Sequence, residues 1–149
     1  MVDMSPFWNK VRAVTPWLIT EPEATPDRPA GGISKNGQLK LLPGSYDFHN
    51  VDACIMCSAC VAACTSYEIS RGFLGPAALA KADRFIEDPR ESGAAKRWRL
   101  IEMDRPDGIW DCVRCNFCVQ VCPKDVKPME AIIRLRRAAI ENGLTSSGG

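Results

Sequence analysis

The sequence lacks the features of a membrane-spanning, a nucleic-acid-binding or a self-contained catalytic protein. No apolar run approaches the roughly 20 residues that a membrane-spanning helix needs. The 19 Lys and Arg residues nearly balance the 18 Asp and Glu residues, so the charge gives no reason to expect nucleic acid as a partner. The sequence also has no glycine-rich phosphate loop and no nucleophile with a base beside it. We therefore expect no catalytic site within the chain itself.

The N-terminal stretch lacks the order of a secretory signal peptide, in which basic residues precede an apolar run. An acidic residue, Asp3, falls early, and Pro6 and Pro16 interrupt the stretch. This pattern predicts that the protein stays on the cytoplasmic side, where thiols are kept reduced.

What the sequence does have is 8 cysteines, all of them in two motifs of identical spacing. The motifs read CIMCSACVAAC and CVRCNFCVQVC, each of the form C-x2-C-x2-C-x3-C. Reduced thiols in such a repeated pattern indicate metal binding rather than a disulfide framework. The candidate metal ligands are Cys54, Cys57, Cys60, Cys64, Cys112, Cys115, Cys118 and Cys122.

This spacing is typical of bacterial two-cluster ferredoxins, in which the fourth cysteine of each motif binds the cluster of the other motif. Three closely spaced cysteines hold three corners of an iron–sulfur cube, and the fourth points away along the next helical turn. The first predicted ligand set is Cys54, Cys57, Cys60 and Cys122, and the second is Cys64, Cys112, Cys115 and Cys118. Crossed ligation would lock the loops together and set two clusters close enough for electron transfer.

Three alternatives to a pair of redox clusters are zinc, disulfides and clusters with a purely structural role. Structural zinc sites usually use two C-x2-C pairs or mixed Cys/His sets. Here each motif has three successive cysteines and a fourth, and the one histidine, His49, lies outside both motifs. Because four sulfur ligands suit zinc and iron–sulfur clusters alike, metal analysis has to decide between them.

The motifs differ in the residue that follows the fourth cysteine. Pro123 has no N–H to donate, whereas Thr65 keeps its N–H. An N–H near a cluster sulfur stabilises the reduced, more negative state. The sequence leaves two interpretations open, a separation of the two reduction potentials or a substitution without functional effect.

The N-terminal region predicts one helix followed by a loop-rich arm. Ser5 and Pro6 are typical of a helix start, with serine as the N-cap, and they predict a helix at about 6–14. Its predicted inner face consists of Phe7, Val11 and Val14. Proline and glycine are then frequent from 21 to 44, which predicts an extended arm rather than a core element.

Three longer helices are predicted after the first motif. Pro76 opens the first of them and Pro89 stops it, the second covers about 94–103, and Pro128 opens the third. The predicted inward-facing residues of the last two helices include Trp98, Ile101, Met129, Ile132, Ile133 and Ile140.

The last helix carries three arginines that we interpret as a solvated face. They are Arg134, Arg136 and Arg137, and the first of them is spaced to pair with Glu130. No stretch alternates as a strand would, so the fold class is all-α. The predicted divisions are a linker helix and arm at 1–49, a helical domain at 50–143 and a disordered tail at 144–149.

Four stretches together resemble a known family. They are VDMSPFWNKVRAVTPWL, CIMCSACVAACTSY, GFLGPAALAKADRFIEDPR and GIWDCVRCNFCVQVCPKDVKPMEAI. In order and spacing they resemble the iron–sulfur subunits of succinate dehydrogenase and fumarate reductase, over the family's C-terminal α-helical ferredoxin domain. The segment between the motifs makes this resemblance more specific than cysteine spacing alone.

The resemblance implies an electron-transfer subunit that relays electrons between a flavoprotein subunit and a quinone or other membrane-side acceptor. It implies two iron–sulfur clusters and a location at the inner face of the membrane, held there through partner subunits. Members of the family normally carry a [2Fe–2S] domain before the linker helix. We expect that cluster on a separate protein or domain.

A second departure from the family concerns the second motif. Many members have a non-cysteine residue at the position of Cys115 and hold a [3Fe–4S] cluster there, whereas a fourth thiolate favours [4Fe–4S]. Two [4Fe–4S] clusters also resemble the electron-transfer subunits of heterodisulfide reductase and of glycolate and anaerobic glycerol-3-phosphate dehydrogenases. An electron-transfer role in such a complex is the alternative function.

The quinone site is the third departure. Quinone-reducing relatives carry a tryptophan shortly after the fourth cysteine and a histidine just after the first cysteine of the second motif. This sequence has TSYEI and Val113 there. The sequence thus departs from a standard quinone pocket, and the expected acceptor is a cysteine-rich heterodisulfide-reductase-like subunit or a membrane anchor of a different type.

Overall fold

The computed structural model describes residues 3–19, 32–33, 39–40 and 50–144. Within these ranges helices form nearly all of the regular structure, which confirms the all-α prediction. The α-helices are α1 Ser5–Ala13, α2 Ala59–Ala62, α3 Thr65–Ile69, α4 Pro76–Glu87, α5 Gly93–Met103, α6 Phe117–Gln120 and α7 Pro128–Glu141. The sheet in these ranges is an antiparallel pair of two-residue strands, β1 Gly32–Ile33 and β2 Leu39–Lys40.

Helices α4 and α7 pack against each other at the centre of the domain. Both begin at a proline, as predicted, because proline fixes φ and needs no hydrogen-bond acceptor in the first turn. Alanines on both helices allow close approach of the backbones. The central core includes Leu79, Ala82, Ile86, Ile132, Leu135 and Ala139, all of them buried.

Helix α7 ends in a Schellman motif at Gly143. The residue has a φ of +71°, and its N–H donates to the carbonyl of Ile140 at 2.9 Å. The N–H of Leu144 donates to the carbonyl of Ala139, also at 2.9 Å. Glycine tolerates this left-handed conformation, which explains why the helix ends at this residue.

Helix α1 packs its predicted face inward, since Phe7, Val11 and Val14 are all buried. The predicted N-cap is wrong by one residue. Met4 is the N-cap, Ser5 is the first helical residue, and the Asp3 carboxylate accepts a hydrogen bond from the Ser5 N–H at 2.9 Å. A carboxylate beside a free N–H at a helix start satisfies the same donor that a capping serine would.

The predicted inner face of α5 is wrong. Trp98 and Ile101 are 41% and 46% exposed, whereas Arg99 and Leu100 are buried. The reason is an ion pair between Arg99 and Glu91, both with fully buried side chains, whose nitrogen and oxygen lie 2.8 Å apart. Because Arg99 faces the interior, the neighbouring Trp98 on the same helix faces solvent. In α7, Met129 and Ile132 are buried as predicted, but Ile133 and Ile140 are exposed.

The same buried pair holds the segment that follows α1. The Arg99 guanidinium donates to the carbonyls of Val14, Thr15 and Trp17 at 2.8, 2.6 and 2.7 Å. The other oxygen of Glu91 accepts from the N–H of Ile19 at 2.9 Å. These bonds satisfy both charges and fasten residues 14–19 to the helical domain.

The predicted domain divisions at 49 and 143 remain predictions. Most of the proline- and glycine-rich arm and the tail from 145 onward lie outside the described residues. The described N-terminal part packs on the rest of the domain, since Phe7 and Val11 cluster with Ala77 of α4.

Candidate metal centre

The two cysteine motifs fold in the same way. Each begins with a 3-10 turn, Val51–Ala53 or Ile109–Asp111, and continues as a loop with the first two cysteines. The third cysteine lies in a four-residue helix, α2 or α6. The predicted internal repeat of a loop running into a helix is therefore present in the backbone.

Both loops use left-handed residues at matching positions. Met56 and Ser58 in the first loop have φ of 56° and 61°, and Arg114 and Asn116 in the second have 57° and 66°. Such residues beside ordinary ones turn successive N–H groups toward one point, in the concave nests that hold anionic iron–sulfur clusters. No glycine marks these positions, so nothing in the sequence predicted the nests.

The first predicted ligand set lines a single small cavity. Cys54, Cys57 and Cys60 line this cavity, and so does Cys122 from the second motif. Burial raises the pKa of the Cys60 thiol to about 12, and negative charge on the neighbouring sulfurs, Cys54 first, contributes to the rise. Sulfurs that repel one another as thiolates are stabilised by the positive iron of a bound cluster, so the donors fit the group.

The second predicted set converges in the same manner. Burial raises the pKa of Cys118 to about 12, with further contributions from Cys112, Cys64 and Cys115. Cys64 comes from the first motif and is buried among these residues. The structure thus places each motif's fourth cysteine near the other motif's first three, which is the arrangement that crossed ligation requires.

Hydrogen bonds distinguish individual sulfurs in the second set. The N–H of Phe117 has the largest effect and lowers the pKa of Cys115, burial opposes it with the next largest effect, and the hydroxyl and N–H of Thr65 lower the pKa further. For Cys64 burial is the larger effect and raises the pKa, while the N–H groups of Tyr67 and Ser66 oppose the rise. Donors from α3 therefore reach two sulfurs of the second set.

Across the described ranges, no three histidine, cysteine, aspartate or glutamate side chains converge around a point that would hold a single metal ion. At the first set the thiols line the cavity described above instead. Each helix in the described ranges is too short or too polar to span a bilayer.

Arg136 holds the start of the second motif. Its guanidinium donates to the carbonyls of Ile109, Trp110 and Cys112 at 2.9, 2.8 and 2.9 Å, and it lies 5.5 Å from the centre of the Trp110 ring. The prediction of a solvated face is therefore wrong for Arg136. Its three acceptors precede it by more than 20 residues, so helix periodicity held no sign of them.

Arg134 is the second correction on α7. It pairs with Asp83 of α4, with contacts of 3.0 and 2.6 Å, and so joins the two central helices. The predicted partner of Arg134, Glu130, pairs with Lys127 instead, with 3.9 Å between the Lys127 Nζ and the Glu130 Oε1. Arg137 is exposed, as predicted for all three arginines.

Two further polar residues connect the motifs, and sequence reasoning missed both. The side-chain amide of Asn50 donates to the carbonyls of Lys124 and Asp125 at 2.9 and 3.1 Å, which ties the start of the first motif to the end of the second. The Ser66 hydroxyl accepts from the N–H of Val113 at 3.1 Å. Asparagine favours the left-handed backbone conformation that Asn50 adopts before the 3-10 turn. That preference was the one weak indication in the sequence that Asn50 has a structural role.

Replacing Arg136 with methionine should make the second metal centre labile. Three carbonyls would lose a charged donor, and each such bond contributes on the order of 1.5–3 kcal/mol. We expect the visible absorbance of an anaerobically purified sample to bleach several-fold faster in the presence of an iron chelator. Arg137→Met, one residue further along the same helix and exposed, is the matched control. Equal bleaching rates in the two variants would contradict the assigned role of Arg136.

The chain is similar to known iron–sulfur proteins along most of its length. The family model described as a 4Fe-4S dicluster domain matches residues 50–126. The fumarate reductase iron-sulfur subunit of Mycobacterium tuberculosis is 34% identical over 145 residues, which cover 97% of this chain and 55% of that protein. The succinate dehydrogenase iron-sulfur subunit of Coxiella burnetii is 32% identical over 149 residues, covering 99% of this chain and 58% of that protein.

The fumarate reductase iron-sulfur subunit of Escherichia coli O157:H7 is 34% identical over 132 residues, with 89% of this chain and 50% of that protein covered. The chain thus spans about half the length of the curated relatives it matches. These matches confirm the resemblance noted from the sequence and the predicted [4Fe–4S] cofactors.

Proposed function

Because the chain belongs to the family of 4Fe-4S dicluster domains, we propose that it relays electrons within a complex of the fumarate reductase or succinate dehydrogenase type. The electrons pass between a flavoprotein subunit, which carries out the dicarboxylate chemistry, and a quinone or other membrane-side acceptor. The similarity to iron–sulfur subunits of these enzymes along most of the chain supports this function.

The proposed ligands of the first cluster are Cys54, Cys57, Cys60 and Cys122, and those of the second are Cys64, Cys112, Cys115 and Cys118. The observation that carries the proposal is the position of each fourth cysteine among the thiols of the other motif. Bound clusters supply one-electron carriers. Crossed ligation by one rigid pair of loops would keep two such carriers near each other.

The residues around the motifs hold the ligands in position. Left-handed residues shape both loops, Asn50 fixes the start of the first motif, and Arg136 fixes the start of the second. The core formed by α4 and α7 packs beneath both motifs. Because the hydrogen-bond donors and the helical core are held in place, few protein atoms have to move when a cluster gains or loses an electron.

Exposed apolar side chains rim both motifs. Ile55 and Val113 occupy matching positions, one after the first cysteine of each motif, and both are exposed, as is Phe117 beside the second motif. Exposed apolar groups around a functional site are typical of contact surfaces. We place the flavoprotein and the membrane-side partner at these rims, where either would come close to a cluster.

Iron and sulfide analysis of the protein purified without oxygen tests the proposal. We expect about eight irons and eight labile sulfides per chain if both sets hold cubes. Affinity capture from the native host should recover a flavoprotein as partner. Zinc without labile sulfide would exclude electron transfer. Capture of a cysteine-rich heterodisulfide-reductase-like subunit in place of a flavoprotein would favour the alternative complex.

A further inference from the structure

Thr65 and Pro123 occupy the same place in the two motifs, directly after the fourth cysteine, yet they differ in what they can donate. The Thr65 hydroxyl donates to Sγ of Cys115 at an oxygen–sulfur distance of 3.6 Å. The N–H of Thr65 acts on the same sulfur in the same direction, since it also lowers the pKa of Cys115. One residue thus acts on one proposed ligand of the second cluster through a hydroxyl hydrogen bond and through its N–H.

The first cluster lacks this pair of donors at the matching position. Pro123 lines the first cavity but has neither an N–H nor a hydroxyl. The two sites share their cysteine spacing and their left-handed loop residues, so this difference is one of chemistry rather than of backbone shape.

Given the proposed function, we propose that Thr65 raises the reduction potential of the second cluster through the hydrogen bond from its hydroxyl to Cys115 and through its N–H. One-electron reduction adds negative charge that is shared with the ligand sulfurs. A hydrogen bond to such a sulfur stabilises the reduced form more than the oxidised form. The potential therefore rises without any covalent bond being made or broken, and the electron that is gained comes from the reductant.

The hydroxyl of Thr65 is not needed to hold the loop. The neighbouring Ser66 already bonds the second loop through the N–H of Val113. Thr65 and Cys115 are both partly buried, where water competes less well for the sulfur and a hydrogen bond has a larger effect than in solution. A change at Thr65 should therefore alter the potential more than the structure.

The position also tolerates the substitutions that a test needs. Thr65 is the first residue of α3, a place where proline fits a helix, and the preceding Cys64 has the extended conformation that proline favours in its neighbour. Thr65→Pro removes both donors and reproduces the situation at Pro123. Thr65→Val removes only the hydroxyl at nearly constant shape, and Thr65→Ser retains both donors.

The test is an anaerobic redox titration of the full chain with dithionite, followed by EPR. The signal of the second cluster is assigned beforehand from its loss in Cys118→Ala. In Thr65→Pro we expect the equilibrium constant for its reduction to fall about tenfold, a potential about 59 mV lower. Thr65→Val should lower the constant about threefold, the effect of one modest hydrogen bond. Thr65→Ser should match the wild type, and the potential of the first cluster should stay the same throughout.

Unchanged potentials in Thr65→Pro and Thr65→Val, at wild-type iron content, would overturn this inference and leave the proposed function intact. If Thr65→Pro fails to take up the second cluster, the comparison of the valine and serine variants decides the question. A wild-type protein without iron and sulfide would instead remove the proposed function, and this inference with it.

Discussion

Replacing Cys64 with alanine should remove the second cluster and spare the first, although Cys64 belongs to the first motif. In the structure Cys64 is buried near Cys112, Cys115 and Cys118, and the N–H groups at the start of α3 oppose the rise in its pKa that burial causes. Removing one of four thiolates leaves an iron without a protein ligand. We expect the loss of about four irons of about eight per chain, or conversion of that cube to a three-iron form.

The control for this prediction is Cys57→Ala, a change in the same motif. If ligation is crossed, Cys64→Ala should resemble Cys118→Ala in iron content and in the EPR signal that disappears, and Cys57→Ala should abolish the other signal. The mirror variant, Cys122→Ala, should resemble Cys57→Ala. If Cys64→Ala and Cys57→Ala abolished the same signal, each motif would hold its own cluster and the crossed assignment would be wrong.

Replacing Arg99 with methionine should destabilise the fold by about 3–5 kcal/mol, the usual effect of removing one partner from a buried ion pair. The change leaves the Glu91 carboxylate buried beside an apolar side chain, and it removes the donor to three carbonyls of residues 14–17. The midpoint of urea unfolding, followed by helical circular dichroism without oxygen, should fall accordingly.

Two controls separate the buried charge from a general effect of losing an arginine. Arg105→Met removes an exposed pair with Glu102 at 3.3 Å and should change stability by less than about 1 kcal/mol. The double variant Arg99→Met with Glu91→Gln also removes the buried negative charge and should recover part of the loss. If the single and double variants unfold at the same midpoint, the charge of Glu91 is not the cause of the loss.

Several features were predictable because they depend on residues close together in the chain. Pro76 and Pro128 begin α4 and α7 as predicted, since proline is restricted by its own ring wherever it lies. Gly143 closes α7 for a similarly local reason. The cysteine spacing indicated iron–sulfur clusters because a short loop can present three thiols to one cube.

Other features escaped prediction because their partners are distant in sequence. Trp98 was assigned to the core on hydrophobicity, but the pairing of Arg99 with Glu91 set the rotation of α5. The sequence predicts a surface position for Arg136, whereas the fold places its guanidinium against a carbonyl at the start of the second motif. The spacing of apolar residues indicates which helix faces are hydrophobic. It does not indicate which charged residues form buried ion pairs.

By itself the sequence determined the number of thiols, their spacing, the helix boundaries at proline and the all-α class, because each depends on the geometry of a few consecutive residues. Only the tertiary structure decided which arginines stabilise the loops, how α5 is turned and which sulfur receives the hydrogen bond of the Thr65 hydroxyl. Those outcomes depend on contacts between segments that are far apart along the chain, and such contacts exist only once the helices have packed.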